Sequence, residues 1–273
     1  MKIALVDNGS LEAAAHECLR AAADAIGAAT GERVDAVSLG HSDRIAAGAL
    51  GGRPAWTLAP WVRAQLEGGE RELVLVPFFI SPEGAIAGTL RDRLERLRES
   101  EGPFDWVVAD ALGADSALPA ILCDRIREAA GRLGLRRPPV VVVDHGGPSA
   151  ASAGVRDQVA DRVRTELGGA IGPLVAASME GADGPGPAFC RPLLGDALLR
   201  PGFDSGDVLI APLFLSPGRH AGPGGDLRRI AREAEARSPG LRCHFTGLVG
   251  SHPIAIQTLA GALSRALRAA AQP

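Results

Sequence analysis

Three residues of the C-terminal half have side chains suited to holding a borderline metal ion or moving protons near neutral pH: His145, Glu180 and His220. Each lies just past a short apolar run. His145 follows VVVVD, Glu180 follows LVAASM, and His220 follows PLFLSPGR. In open parallel sheets, ligands bind beyond the carboxyl ends of the strands. The three side chains are therefore expected together at one edge of one sheet. Two imidazoles and a carboxylate suit Fe²⁺, Co²⁺, Ni²⁺ or Zn²⁺, and they can equally accept and donate protons. Taken singly, His145 also reads as a cap for the following helix, and Glu180 as a solvated loop carboxylate. Arg219, beside His220, suits an anionic substrate or plain solvent. Ser149 reads as a substrate contact or a helix cap. His252, in GSHP before the last helix, suits a cap, a substrate rim or a catalytic role. His16 sits on an expected helix as a surface or core residue, and His41 and His244 read as incidental. No GxSxG nucleophile elbow is present.

The elements that must position these residues recur along the chain. IALVDNGS (3–10) matches VVVVDHGG (140–147), LVLVPFFISP (73–82) matches VLIAPLFLSP (208–217), and LGADSALPAIL (112–122) matches VGSHPIAIQTL (249–259). Three blocks in one order at spacings of 135 to 137 residues indicate a duplication, with the polar, then proline-rich LRRPP (135–139) at the junction. The boundaries are read as 1–136 and 137–273.

Within each half, short runs of Val, Ile and Leu alternate with amphipathic stretches. Strands are expected at 2–7, 33–39, 72–79 and 105–111, then at 140–144, 173–179, 207–214 and 242–248. Helices are expected near 10–29, 57–67, 84–99 and 115–133, then near 149–167, 187–199, 223–237 and 254–270. Continuous apolar strands argue burial on both faces, hence parallel sheets and right-handed βαβ units. The fold class is α/β: two tandem flavodoxin-like units with parallel four-stranded sheets. The repeat also supplies a comparison. The first-half counterparts of His145, Glu180 and His220 are Asn8, Gly40 and Ala85, none a strong ligand or base. One active site is expected, in the second half.

Composition removes other classes. The chain has 273 residues, a net charge of −3 and 4% aromatics, without the basic signature of a nucleic-acid binder. Hydrophobic residues at 46% argue against disorder. Cys18, Cys123, Cys190 and Cys243 form no CxxC pair, so each reads as a small buried residue in a reducing compartment. No signal peptide and no bilayer-spanning run is read, and the expected location is the cytoplasm. GxGxxG is absent after the first strand of either half, as is GxxxxGK[ST], so no nucleotide is expected.

The motifs bring a family into view. VVVDHGG (141–147) resembles the first-strand motif of the class II tetrapyrrole chelatases, and IAPLFLSPGRHAGPGGDL (210–227) is similar to their strand-end motif leading through a His to an acidic helix start. VAASMEGADGPGPAF (175–189) resembles the segment between them, and VGSHP (249–253) the fourth-strand exit. The sirohydrochlorin cobaltochelatase/ferrochelatase group is the nearest in pattern, over nearly the whole chain as two units. The resemblance implies insertion of divalent Co²⁺ or Fe²⁺, with Ni²⁺ also compatible, into sirohydrochlorin or a related tetrapyrrole without ATP, in cobalamin or siroheme biosynthesis. It implies that His145 and His220 take the metal, that Glu180 serves as third ligand or proton acceptor, and that the macrocycle sits in a cleft between the units of a monomer or homodimer. One departure stands out: in the two-unit relatives the histidines usually lie in the first unit, and here they lie in the second. Two other classes stay open, a non-catalytic metal or tetrapyrrole carrier and a flavodoxin-like nucleotide-binding domain.

Overall fold

The computed structural model describes residues 1–80, 85–114, 117–147, 150–180 and 188–271. The chain alternates strand and helix. In the first half, β1 (Lys2–Asp7), α1 (Ala13–Thr30), β2 (Val34–Ser38), β3 (Trp56–Thr57), α2 (Leu58–Glu67), β4 (Glu72–Pro77), α3 (Ala85–Glu101), β5 (Asp105–Val108) and α4 (Ala117–Leu133) follow in order. The second half runs β6 (Val140–Asp144), α5 (Ala150–Leu167), β7 (Leu174–Ser178), α6 (Leu194–Leu198), β8 (Gly206–Pro212), α7 (Asp226–Arg237), β9 (Leu241–Phe245) and α8 (Pro253–Ala270).

All strand pairs are parallel, in the orders β3-β2-β1-β4-β5 and β7-β6-β8-β9. The central strands are buried on both faces, as their unbroken apolar runs require: Val140 to Val143 are fully buried. At about 1.5–3 kcal/mol per buried aliphatic side chain, such a strand anchors its half. One face of each sheet is covered by a helix layer. Leu58, Trp61, Leu90 and Leu94 cover the first sheet, and Leu194, Leu198, Leu227 and Ala231 the second.

Two expectations are corrected. The first sheet has five strands rather than four, because Trp56 and Thr57 pair with Val37 and Ser38 at its edge. Two residues are too few to carry a periodicity. The helix expected over 187–199 is reduced among the described residues to a single 3₁₀ turn, Ala188–Cys190, and the five-residue α6. Pro192 falls between them, where it has no N–H to donate to a helix.

The compact units also divide differently from the repeat at 136/137. One consists of Met1–Asp115, Leu215–Gly218 and Gly250–Pro273, the other of Ser116–Phe214 and Arg219–Val249. Helix α8 packs on α1 and β4, whereas α4 packs on α5 and β8. The last helix of each half therefore buries its apolar face on the other half's sheet.

Candidate metal and proton-transfer site

The site lies at the carboxyl edge of the second sheet. β6 ends at Asp144, and His145 is the next residue. Gly146 then turns the chain with φ +82, a conformation L side chains rarely adopt, and a Cβ there would stand 2.0 Å from the Glu180 carbonyl oxygen. Only glycine allows this approach. It lets the β6 and β7 exits bind each other: the Met179 N–H donates to the Asp144 carbonyl at 2.8 Å and the Glu180 N–H to the His145 carbonyl at 3.0 Å. His145 and Glu180 are thereby held side by side, both exposed.

Beneath them lies a buried polar network. The Arg156 side chain, from α5, is 2% exposed. Its guanidinium donates to Ser178 Oγ at 2.5 Å, to the Phe189 carbonyl at 2.9 Å and to Asp157 at 2.8 Å. Ser178 Oγ in turn donates to Asp144 Oδ1 at 2.6 Å. Burial raises the Asp144 carboxyl above the usual carboxylate range, opposed by the Ser178 hydrogen bond and the Arg156 charge.

His220 arrives from the loop after β8. Its ring meets that of His145 edge-on, with centroids 4.7 Å apart, and Phe214 lies 6.5 Å from the His145 ring. His220 Nδ1 lies 2.8 Å from Oδ2 of Asp226, the first residue of α7. The His220 hydrogen bond, then that of Arg229 at 3.1 Å, holds the Asp226 carboxyl below its ordinary range. The carboxylate is therefore ionised and accepts, so His220 Nδ1 carries the proton. His145 Nδ1 faces the Gly146 carbonyl at 2.9 Å. A carbonyl has no proton to give, so this Nδ1 also donates. In each neutral ring the Nε2 lone pair meets no partner among the described residues and can take a metal ion or a proton. A histidine that donates its other N–H to a carboxylate or carbonyl has the arrangement usual for metal ligation.

Donor atoms of Glu180, His220 and Asp226 all lie within 4.8 Å of one another. Among the sequence-read residues the structure thus brings Glu180 and His220 together and sets His145 in ring contact with His220. Asp226 was missed as a site residue. Its signal was present in the acidic start of α7, but an acid in a helix's first turn is common for electrostatic reasons alone. Arg219 lies at the rim, its side chain 81% exposed and 3.8 Å from Asp226. His252 belongs to the other compact unit, where Nδ1 caps α8 by accepting from the Ile254 N–H at 3.2 Å. Ser149 lies outside the described residues. His16 is buried in α1, and His244 pairs with Asp207 at 2.8 Å. All four cysteines are free thiols, Cys123 and Cys190 buried, Cys18 and Cys243 partly so.

No protein-family model and no curated protein matches the chain. Solved structures do. SirB from Bacillus subtilis with Fe³⁺ aligns at TM-score 0.68 and 14% identity over 100% of this chain and 98% of that one. The sirohydrochlorin chelatase SirB from Bacillus subtilis subspecies spizizenii in complex with cobalt gives 0.70 at 14% identity over the same shares. CbiX, described as the terminal enzyme for biosynthesis of siroheme in denitrifying bacteria, gives 0.64 at 18% identity over 97% and 99%. At such identities the likeness is one of fold, and the fold is that of these chelatases from end to end.

Proposed function

We propose that this chain is a metal-inserting lyase that places Co²⁺ or Fe²⁺, as substrate, into sirohydrochlorin or a related tetrapyrrole, in the cytoplasm and without nucleotide. The observation that carries the reading is the pair of imidazoles at one strand edge beside Glu180, each with Nδ1 engaged and with no partner for Nε2 among the described residues. The second repeat, 137–273, supplies this site, and the first, 1–136, supplies scaffold without ligands. His145 and His220 take the incoming ion through Nε2, and Glu180 completes the donor set. Asp226 holds the His220 ring in place and fixes its tautomer.

Insertion must remove two pyrrole N–H protons from the macrocycle. Glu180, or an imidazole once its lone pair is released, accepts them. Fold neighbours whose descriptions name sirohydrochlorin chelation, cobalt and Fe³⁺ support the substrate class. The chain needs no membrane for this chemistry, and no helix among the described residues is long and apolar enough to cross one.

The test is anaerobic incubation with sirohydrochlorin and Co²⁺, Fe²⁺ or Ni²⁺, followed by visible spectroscopy. Wild type should shift the macrocycle spectrum on metalation, and His145→Ala and His220→Ala should abolish the shift while keeping wild-type circular dichroism. Undiminished insertion by both variants would overturn the assignment. Binding of metal and macrocycle without metalation by wild type would make the protein a carrier.

A further inference from the structure

The unit built on the first sheet has a cavity of its own, of about 430 Å³, at the carboxyl ends of β2 and β3. Three arginines line it, Arg44, Arg93 and Arg96, against one carboxylate, Asp43. The Arg93 guanidinium donates to the Leu39 carbonyl, which ties it to the exit of β2. Among the described residues, neither Arg44 nor Arg96 has a carboxylate partner.

The N-terminus of α2 opens on the same cavity. Thr57 is its N-cap residue, only 8% exposed, and lines the space. A threonine at this position ordinarily turns its hydroxyl back onto a first-turn N–H. Here the side chain makes no such bond, and no other partner for it stands among the described residues. A residue nine-tenths buried, whose hydroxyl meets no partner among the described residues and which lines a cavity with two guanidiniums that lack a carboxylate partner, offers a donor to an acceptor there. Helix N-termini and arginine forks both favour oxyanions.

We propose that this cavity binds a small doubly charged oxyanion, either a phosphate monoester or a molecule with two neighbouring carboxylates. Three guanidiniums against one carboxylate leave an excess of two positive charges, which a dianion neutralises. The volume is in the range of small-molecule sites, and the position obeys the strand-end rule for parallel sheets. No residue of the metal site takes part, so the inference stands apart from the proposed chelatase activity.

The test is calorimetric titration of the full chain with inorganic phosphate, succinate or chloride at matched ionic strength. Saturable binding of phosphate or succinate, and none of chloride, is the expected result. The tighter of the two identifies the source of the oxyanion. Arg44→Gln and Arg96→Gln should each weaken binding about tenfold or more. Thr57→Val should weaken it with the helix intact, and His145→Ala and His220→Ala should leave it unchanged. The proposal is overturned if neither anion binds beyond chloride, or if the Arg44→Gln/Arg96→Gln double variant, folded by circular dichroism, binds as wild type does.

Discussion

The two sheets end in the same construction, yet among the described residues only the second edge gathers two imidazoles and a carboxylate. α1 and α5 are each 18 residues long and start 137 residues apart. β1 ends at Asp7 opposite Ser38, and β6 at Asp144 opposite Ser178. Gly9 and Gly146 both turn left-handed, at φ +89 and +82, each with its would-be Cβ against the carbonyl two residues beyond that serine. Beneath this shared frame the halves part. Position 156 is a buried arginine bound to Ser178 and close to Asp144, whereas its counterpart 137 residues earlier, Leu19, is buried and apolar. Among the described residues Asp7 thus has no counter-charge and its Oδ1 no partner, and burial lifts the carboxyl to about 6. The edge bearing His145 is braced by a satisfied ion network, while the edge bearing Asn8 keeps an acid that its surroundings prefer neutral.

Making the second edge resemble the first is the strongest way to break this contrast. His145→Asn copies Asn8 and should lower metal binding by more than about 100-fold, beyond what loss of an outer-shell partner costs. Cobalt titration by visible absorbance measures it, and unchanged affinity would remove His145 from the site. Arg156→Leu copies Leu19. It strands Asp144 in a buried position and unpairs the Phe189 carbonyl, at a cost of about 3–5 kcal/mol. Urea unfolding should show that loss, and adding Asp144→Asn should restore part of it. A single-variant cost within experimental error would mean that the network is idle. Asp226→Asn leaves an acceptor for His220 Nδ1 but removes its charge. Metal affinity should fall about 10- to 100-fold with unfolding behaviour near wild type. A loss of stability without a loss of affinity would make Asp226 merely the start of α7.

Much of this contrast was legible in the residues. Unbroken apolar runs such as VVVVD can only be central parallel strands, and placing His145, Glu180 and His220 at strand exits was enough to gather them. What escaped has physical reasons. A two-residue edge strand at Trp56 leaves no pattern. Arg156 lies in a helix dense in arginine and acid, and only three-dimensional burial separates it from its solvated neighbours Arg162 and Arg164. Asp226 looked like any acid in a first turn. The exchange of α4 and α8 between units was hidden because an amphipathic helix records that one face is buried and not which sheet buries it.

Asp7→Asn has the smallest expected effect, and its sign separates the two edges most cleanly. The Asp7 carboxyl titrates near 3.8 when unfolded and near 6 when folded, so the native state binds the proton more tightly between those values. Wild-type stability therefore falls as pH rises from about 4 through about 6, and the full penalty is present above that window. Asparagine stays neutral throughout and keeps an oxygen to accept from Ser38 and the Gly9 N–H. Asp7→Asn should be more stable than wild type at pH 8, by on the order of 1–3 kcal/mol, with the advantage gone at pH 4. Urea midpoints at the two pH values decide it, and an equal advantage at both would show that charge is not its source. Asp144→Asn should behave oppositely, because it deprives the buried Arg156 of an anion where Asp7→Asn removes an anion that has no cation beside it among the described residues.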